Sequence, residues 1–287
     1  MVESVRQLRR RIRSVENTAK ITQAMSMIAA SKMRRAQEAA LLSRPYSVGL
    51  SALLANLAAQ PHDEDDLPLM LRTREVKKTE IILITPDRGM TGGLNSNILR
   101  TVAEFVAPLG GEFSVLAVGK KGRDFMVRAG ANVRAVFTDI SDRPSITEIT
   151  PVAQLAMNAY MNEETDSVHV VYADYVNTAV QRPVVQQLLP VIPAQLRPQD
   201  AVGYIYEPNP LEVLGQLVPR FIEIQIFHAL LENIASEQSA RMVAMRAATD
   251  NANEMIGDLT LVMNKARQES ITAELLDIVG GAAAVEA

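Results

Sequence analysis

Apolar side chains recur at spacings of three and four residues over two long stretches, one towards each end of this 287-residue chain. In the first, the rule picks out Val5, Leu8, Ile12, Val15, Ala19, Thr22, Ser26, Ala29, Met33, Ala36 and Ala40, nine of them apolar. In the second, it picks out Phe221, Ile224, His228, Leu231, Ala235, Gln238, Met242, Met245, Thr249, Ala252, Ile256, Leu259, Met263 and Ala266, eleven of them apolar. Sustained 3-4 spacing lines these positions along one seam of a helix, the signature of a coiled coil. The many Ala permit close approach of the two helices.

Helix breakers bound the stretches. The first helix is expected over about 2–59, with Pro45 and Gly49 marking a bend, and Pro61 with the acidic loop 62–66 and Pro68 ending it. The last is expected over about 211–279, bent or restarted at Pro219 and stopped by Gly280-Gly281. From Pro219 such a helix is about 90 Å long at 1.5 Å per residue. A compact globule of this length is only about 50 Å across. The expectation is a rod with a body attached.

Charge follows the same division. Residues 1–44 hold ten Lys and Arg against three Asp and Glu, whereas from residue 209 onward five bases face eleven acids. Opposite-signed helices attract when they run side by side, although exposed charges in water contribute little. The formal net charge of −4 argues against a general nucleic-acid binder.

The middle of the chain reads differently. Short β-like runs at 81–84, 114–118, 133–137 and 168–172 alternate with helical stretches at 96–106, 122–129 and 146–161. That alternation predicts an α/β layer with a mainly parallel sheet. A further extended pair, 179–185 and 188–192, suits edge strands, because Pro183, Pro190 and Pro193 cannot donate in a sheet interior. The two helices flank this domain in sequence, so they form a hairpin only if they run antiparallel. The segments are then 1–60 for the N-terminal coiled-coil helix, 61–75 for a linker, 76–208 for a central Rossmann-like α/β domain, and 209–287 for the C-terminal coiled-coil helix.

No catalytic constellation emerges. With no Cys, the chain has no disulfide, no thiolate chemistry and no Cys-ligated metal. The segment from Thr85 to Asn95 follows a strand and precedes a helix, where phosphate loops occur, but it has neither the G-x-G-x-x-G spacing nor a G-K-[ST] ending. It reads as a structural turn. His62, His169 and His228 have no ligand spacing and read as structural. Met25, Met27, Met33, Met242, Met245 and Met263 suit adaptable packing. The segment 162–166 reads as a turn. The longest apolar run falls far short of the roughly 20 residues of a membrane span, and the N-terminus carries an Arg-rich helical pattern where a signal peptide needs an apolar one.

Three motifs carry a family resemblance. The run Ile12-Arg13-Ser14-Val15-Glu16-Asn17-Thr18-Ala19-Lys20-Ile21-Thr22-Gln23-Ala24-Met25, continued by Ile28-Ala29-Ala30-Ser31-Lys32-Met33-Arg34, resembles the N-terminal helix of the gamma subunits of rotary F-type ATP synthases. Asp87-Arg88-Gly89 through Gly92-Gly93-Leu94-Asn95 is similar to the central motif of that family. Ser236-Glu237-Gln238-Ser239-Ala240-Arg241-Met242-Val243-Ala244-Met245, Ala248-Thr249-Asp250-Asn251 and 264–272 resemble its C-terminal helix. The resemblance covers essentially the whole chain, in order.

The resemblance implies a rotor shaft, non-catalytic itself and without a cofactor. Its antiparallel coiled coil would lie inside a ring of alternating alpha and beta subunits. Its α/β domain would sit as a foot, with an epsilon-type subunit, on a membrane ring of proteolipid subunits. Such a complex is driven by protons or sodium ions and sits peripherally on the cytoplasmic face of a bacterial plasma membrane. Family contacts with the acidic and catch loops of beta fall on Met25, Arg267, Gln268 and Thr272. Those with the membrane ring fall on Tyr204 and Glu207, within Tyr204-Ile205-Tyr206-Glu207-Pro208. Thr91 stands where many members have Cys, and the Cys-containing regulatory insertion of photosynthetic members is missing. Pro219 is unusual at its position. Two rivals are a flavodoxin-like enzyme with helical arms, which needs a pocket of convergent polar groups, and a coiled-coil scaffold or nucleic-acid adaptor using the basic helix.

Overall fold

The computed structural model describes residues 4–60, 67–109, 112–193 and 206–286. His62 with the acidic loop 62–66, and Tyr204, lie outside the described residues. The elements run α1 (Val5–Ala58), β1 (Lys78–Ile84), α2 (Leu94–Val106), β2 (Glu112–Val118), α3 (Lys120–Arg128), β3 (Asn132–Phe137), α4 (Ile146–Met161), β4 (Ser167–Tyr175), β5 (Gln181–Leu189) and α5 (Pro210–Glu286).

The sheet has the order β3-β2-β1-β4-β5. The first four strands are parallel, and β5 returns antiparallel along β4. This is the doubly wound arrangement, in which the chain moves outward from β1 on one side, then crosses back to continue on the other. The central strands are apolar on both faces because helices cover both faces. Ile82, Ile84, Leu116, Val118, Val168 and Val170 share a core with Ile149, Val152 and Ala156 of α4, Leu54 and Leu57 of α1, and Leu214, Val218 and Ile222 of α5. The alternate side chains Ile81, Leu83, Val115, Ala117, Val171 and Ala173 pack on the other face against Leu94, Ile98 and Val102 of α2, Met126 of α3 and Ala240 of α5. The period-2 alternation of a strand sorts the two sets.

Three expectations change. The extended pair 179–185 and 188–192 is one edge strand, β5, with Pro183 opposite Ala173 and the turn at 177–180 preceding it. The last helix does not restart at Pro219, and α1 continues past Pro45 as expected, so both prolines lie inside continuous helices. A mid-helix Pro loses one backbone hydrogen bond and costs about 3 kcal/mol. Burial of Leu54 and Leu57 beyond Pro45, and of Val218 and Ile222 beside Pro219, offsets this at about 2 kcal/mol per side chain. Gly280-Gly281 does not stop α5, which continues to Glu286. Glycine lowers helix propensity by only about 1 kcal/mol, and three alanines, the best helix formers, follow.

The chain divides into two compact units, 1–28 with 242–287, and 29–241. In the first, Thr22 Oγ1 lies 2.7 Å from Thr249 Oγ1, and Ser26 Oγ donates to the Met242 carbonyl at 3.3 Å. Rising numbers on α1 meet falling numbers on α5, so the helices are antiparallel. None of the seam positions named above is exposed on either helix. The second unit holds the sheet and the segments of α1 and α5 that pack on it.

Candidate functional site

The loop from Thr85 to Gly93 leaves the carboxyl end of β1, where doubly wound folds bind their ligands. Here it is tied to its own chain. Thr85 Oγ1 accepts from the Gly122 amide at 2.8 Å. Asp87 accepts from the Lys120 amide through Oδ1 and from the Asp139 amide through Oδ2, each at 2.8 Å. A carboxylate thus caps the start of α3, the position at which a helix N-terminus otherwise attracts an anion. Gly119 (φ +110°) allows the approach, since a Cβ there would stand 1.9 Å from the Thr85 carbonyl oxygen. The loop is a structural turn.

Helix α5 bonds to the same end of the sheet. Asn233 Oδ1 accepts from the Ala173 amide at 3.2 Å, and Glu232 Oε2 accepts from the Tyr175 amide at 3.2 Å, both at the carboxyl end of β4. Arg241 donates to Glu237 Oε1 at 2.7 Å and to the Gly89 carbonyl at 3.4 Å. Burial pushes the Glu237 carboxyl above the usual carboxylate range, Arg241 opposes the shift, and Asp142 and Asp87 add to it. Asn233, Glu237 and Arg241 recur every four residues on one helix face, within a segment that also buries Ser236, Gln238 and Ser239. That spacing is the sequence signal for this contact, and it runs beside the apolar seam rather than along it.

A pocket does exist at the opposite, amino end of the strands, lined by residues including Lys78, Ser114, Asn132, Arg134 and Glu164. Its neighbour Glu80 is fully buried, bonded through Oε1 to Arg134 at 2.7 Å and to Ser114 at 3.4 Å. Burial raises its pKa, against the pull of Arg134. His169 packs on Phe105 with ring centroids 4.9 Å apart, and burial lowers its pKa. His228 Nε2 lies 3.8 Å from Glu232 Oε1. Among the described residues no group of three or more His, Asp and Glu is placed to hold a metal ion.

The contact residues named from the resemblance fall in separate places. Arg267, Gln268 and Thr272 lie together on α5, where every residue from 267 to 276 is exposed. The Thr272 hydroxyl donates back to the Gln268 carbonyl at 2.9 Å. Met25 is half-buried on α1. The part of α5 beside it lies near Met242, about 40 Å along the helix from Gln268. Glu207 is exposed, and Tyr204 lies outside the described residues.

A family model described as ATP synthase matches residues 4–285. The ATP synthase gamma chain of Dehalococcoides mccartyi is 53% identical over 282 residues, covering 98% of this chain and 99% of that protein. The gamma chain of Roseiflexus castenholzii is 47% identical over 285 residues, covering 98% of each. A chain of the Euglena gracilis mitochondrial ATP synthase, in a cryo-EM structure of its OSCP/F1/c-ring in rotational state 3, superposes with a TM-score of 0.71 at 21% identity, covering 98% of this chain and 94% of that one. A chain of the Tetrahymena thermophila central stalk/c-ring gives 0.63 at 24% identity, covering 79% and 99%. Those two likenesses speak for the fold, and the sequence matches run nearly end to end: the chain belongs to the ATP synthase gamma-chain family.

Proposed function

We propose that this gamma chain, a non-catalytic subunit, is the central rotor shaft of an F-type ATP synthase, coupling ion-driven rotation of a membrane ring to ATP synthesis and hydrolysis in the catalytic head. Family membership favours neither rival, the enzyme with helical arms or the nucleic-acid adaptor. The observation that carries the reading is the far end of α5. Ile271, Leu275 and Leu276 are 50%, 57% and 67% exposed there. Apolar side chains so exposed, on a stretch of helix that no other described residue covers, call for surrounding protein. Alpha and beta subunits of the head are the proposed surroundings.

Arg267, Gln268 and Thr272 are the proposed contacts with beta at that end, and Met25 a second contact further along the shaft. Arg offers five donors in a fixed fork and Gln two donors and an acceptor, a set suited to carboxylates and backbone carbonyls. An asymmetric shaft presents a different face to each beta subunit as it turns, so binding energy at each depends on rotor angle, which is coupling in the thermodynamic sense. Tyr204 and Glu207 are the proposed contacts with the proteolipid ring, beside an epsilon-type subunit. The segments 1–60, 61–75, 76–208 and 209–287 serve as shaft helix, linker, foot and shaft helix. The driving ion is a proton or sodium ion, and the complex lies on the cytoplasmic face of a bacterial plasma membrane.

The test is Arg267→Ala and Gln268→Ala, singly and together, in the complex reconstituted into vesicles. Turnover is expected to fall several-fold with assembly intact. Wild-type rates in all three variants would remove both residues from the mechanism. Copurification of alpha, beta and this chain in a three-three-one ratio tests the assembly itself.

A further inference from the structure

At its middle the antiparallel seam of the first unit is built from small side chains: Ala19 and Ala252 are buried, with Thr22 beside them, while buried Leu8 and Met245 lie to either side. Alanine makes shallow knobs, which leave this middle stretch with little shape to resist sliding. Packing there discriminates weakly between registers, whereas a polar group in a seam specifies register at some cost in stability. Two interhelix hydrogen bonds supply that element here, from Thr22 to Thr249 and from Ser26 to the Met242 carbonyl.

The threonine pair belongs to a chain of bonds. Thr22 Oγ1 lies 3.0 Å from the Ala19 carbonyl, and Thr249 Oγ1 lies 2.9 Å from the Met245 carbonyl. Each hydroxyl has one proton and can accept as well as donate. When Thr22 donates across the seam, Thr249 donates to Met245. When Thr249 donates across, Thr22 donates to Ala19. The interhelix bond is made in either arrangement, and a slip of one turn, about 5.4 Å, loses it in both.

We propose that the Thr22–Thr249 hydroxyl pair, seconded by Ser26, sets the register of the two helices. This is a property of the chain itself, and it stands or falls independently of the rotor reading. The chain has no Cys, so Asn17→Cys and Asn253→Cys, both at exposed positions, introduce a single pair of spin-label sites in the full-length protein. Pulsed dipolar spectroscopy should give one narrow distance population. Adding Thr22→Val with Thr249→Val keeps the side-chain shape and removes both hydroxyls. The expected result is a second population, or a markedly broader distribution, with helicity and melting temperature retained. Thr22→Ser with Thr249→Ser should restore the single population. One unchanged narrow population in the valine variant would overturn the proposal, and so would its unfolding, since the pair would then stabilise the helices rather than select their register.

Discussion

Gly119 and Gly130 both have positive φ, but only Gly119 is crowded. Gly130→Ala carries the backbone penalty alone, about 1–2 kcal/mol. Gly119→Ala adds a clash with the Thr85 carbonyl and is expected to cost several kcal/mol more, which urea denaturation of the two variants will separate. His169 gives a second test. Its folded pKa is depressed, so below the ordinary value near 6.5 the unfolded chain binds the proton first. Stability from this residue is full above that pH and is lost as pH falls towards the folded value. His169→Phe should reduce the loss between about pH 7.5 and pH 5, measured by denaturation at both.

Among the elements, the junction of the β1 loop with α3 depends on one carboxylate. Asp87→Ala leaves the Lys120 and Asp139 amides without their acceptor and is expected to cost about 1–2 kcal/mol. Hydrogen exchange should accelerate at those two amides before it does in β1, whose Ile81–Ile84 run is almost fully buried. The ion pairs Arg241–Glu237 and Arg220–Glu223 stay within α5, and Lys32–Asp142 runs from α1 to the segment before α4. None of these three ion pairs joins the two long helices to each other, although the Arg220 side chain also hydrogen-bonds Tyr46 of α1. Each pair fixes a helix to itself or to the central domain.

For the whole molecule, the decisive feature is how α5 engages the carboxyl ends of β1 and β4. Asn233 of α5 bonds the Ala173 amide of β4, and Arg241, paired with Glu237, bonds the Gly89 carbonyl of the β1 loop, at the end of the sheet where such folds bind ligands. The isolated chain is therefore expected neither to bind ATP tightly nor to hydrolyse it, and titration calorimetry with magnesium and ATP checks this. No helix among the described residues is long and apolar enough to cross a membrane.

Helices and strands were legible in the sequence because their periods are local: 3-4 spacing marked both seams, and alternating strand and helix marked the doubly wound domain. The family motifs at both ends were legible for the same reason, as runs of consecutive residues. What the tertiary structure alone decided are pairings between distant residues. Thr22 meets Thr249, Asp87 caps α3, and Arg241 closes on Gly89. The local breaker Gly280-Gly281 misled, since α5 runs on through it, and burial in the shared core carries both helices through Pro45 and Pro219 despite a lost backbone hydrogen bond. Periodicity is set within a few residues, but the partner of a buried polar group is chosen by whatever the fold brings next to it.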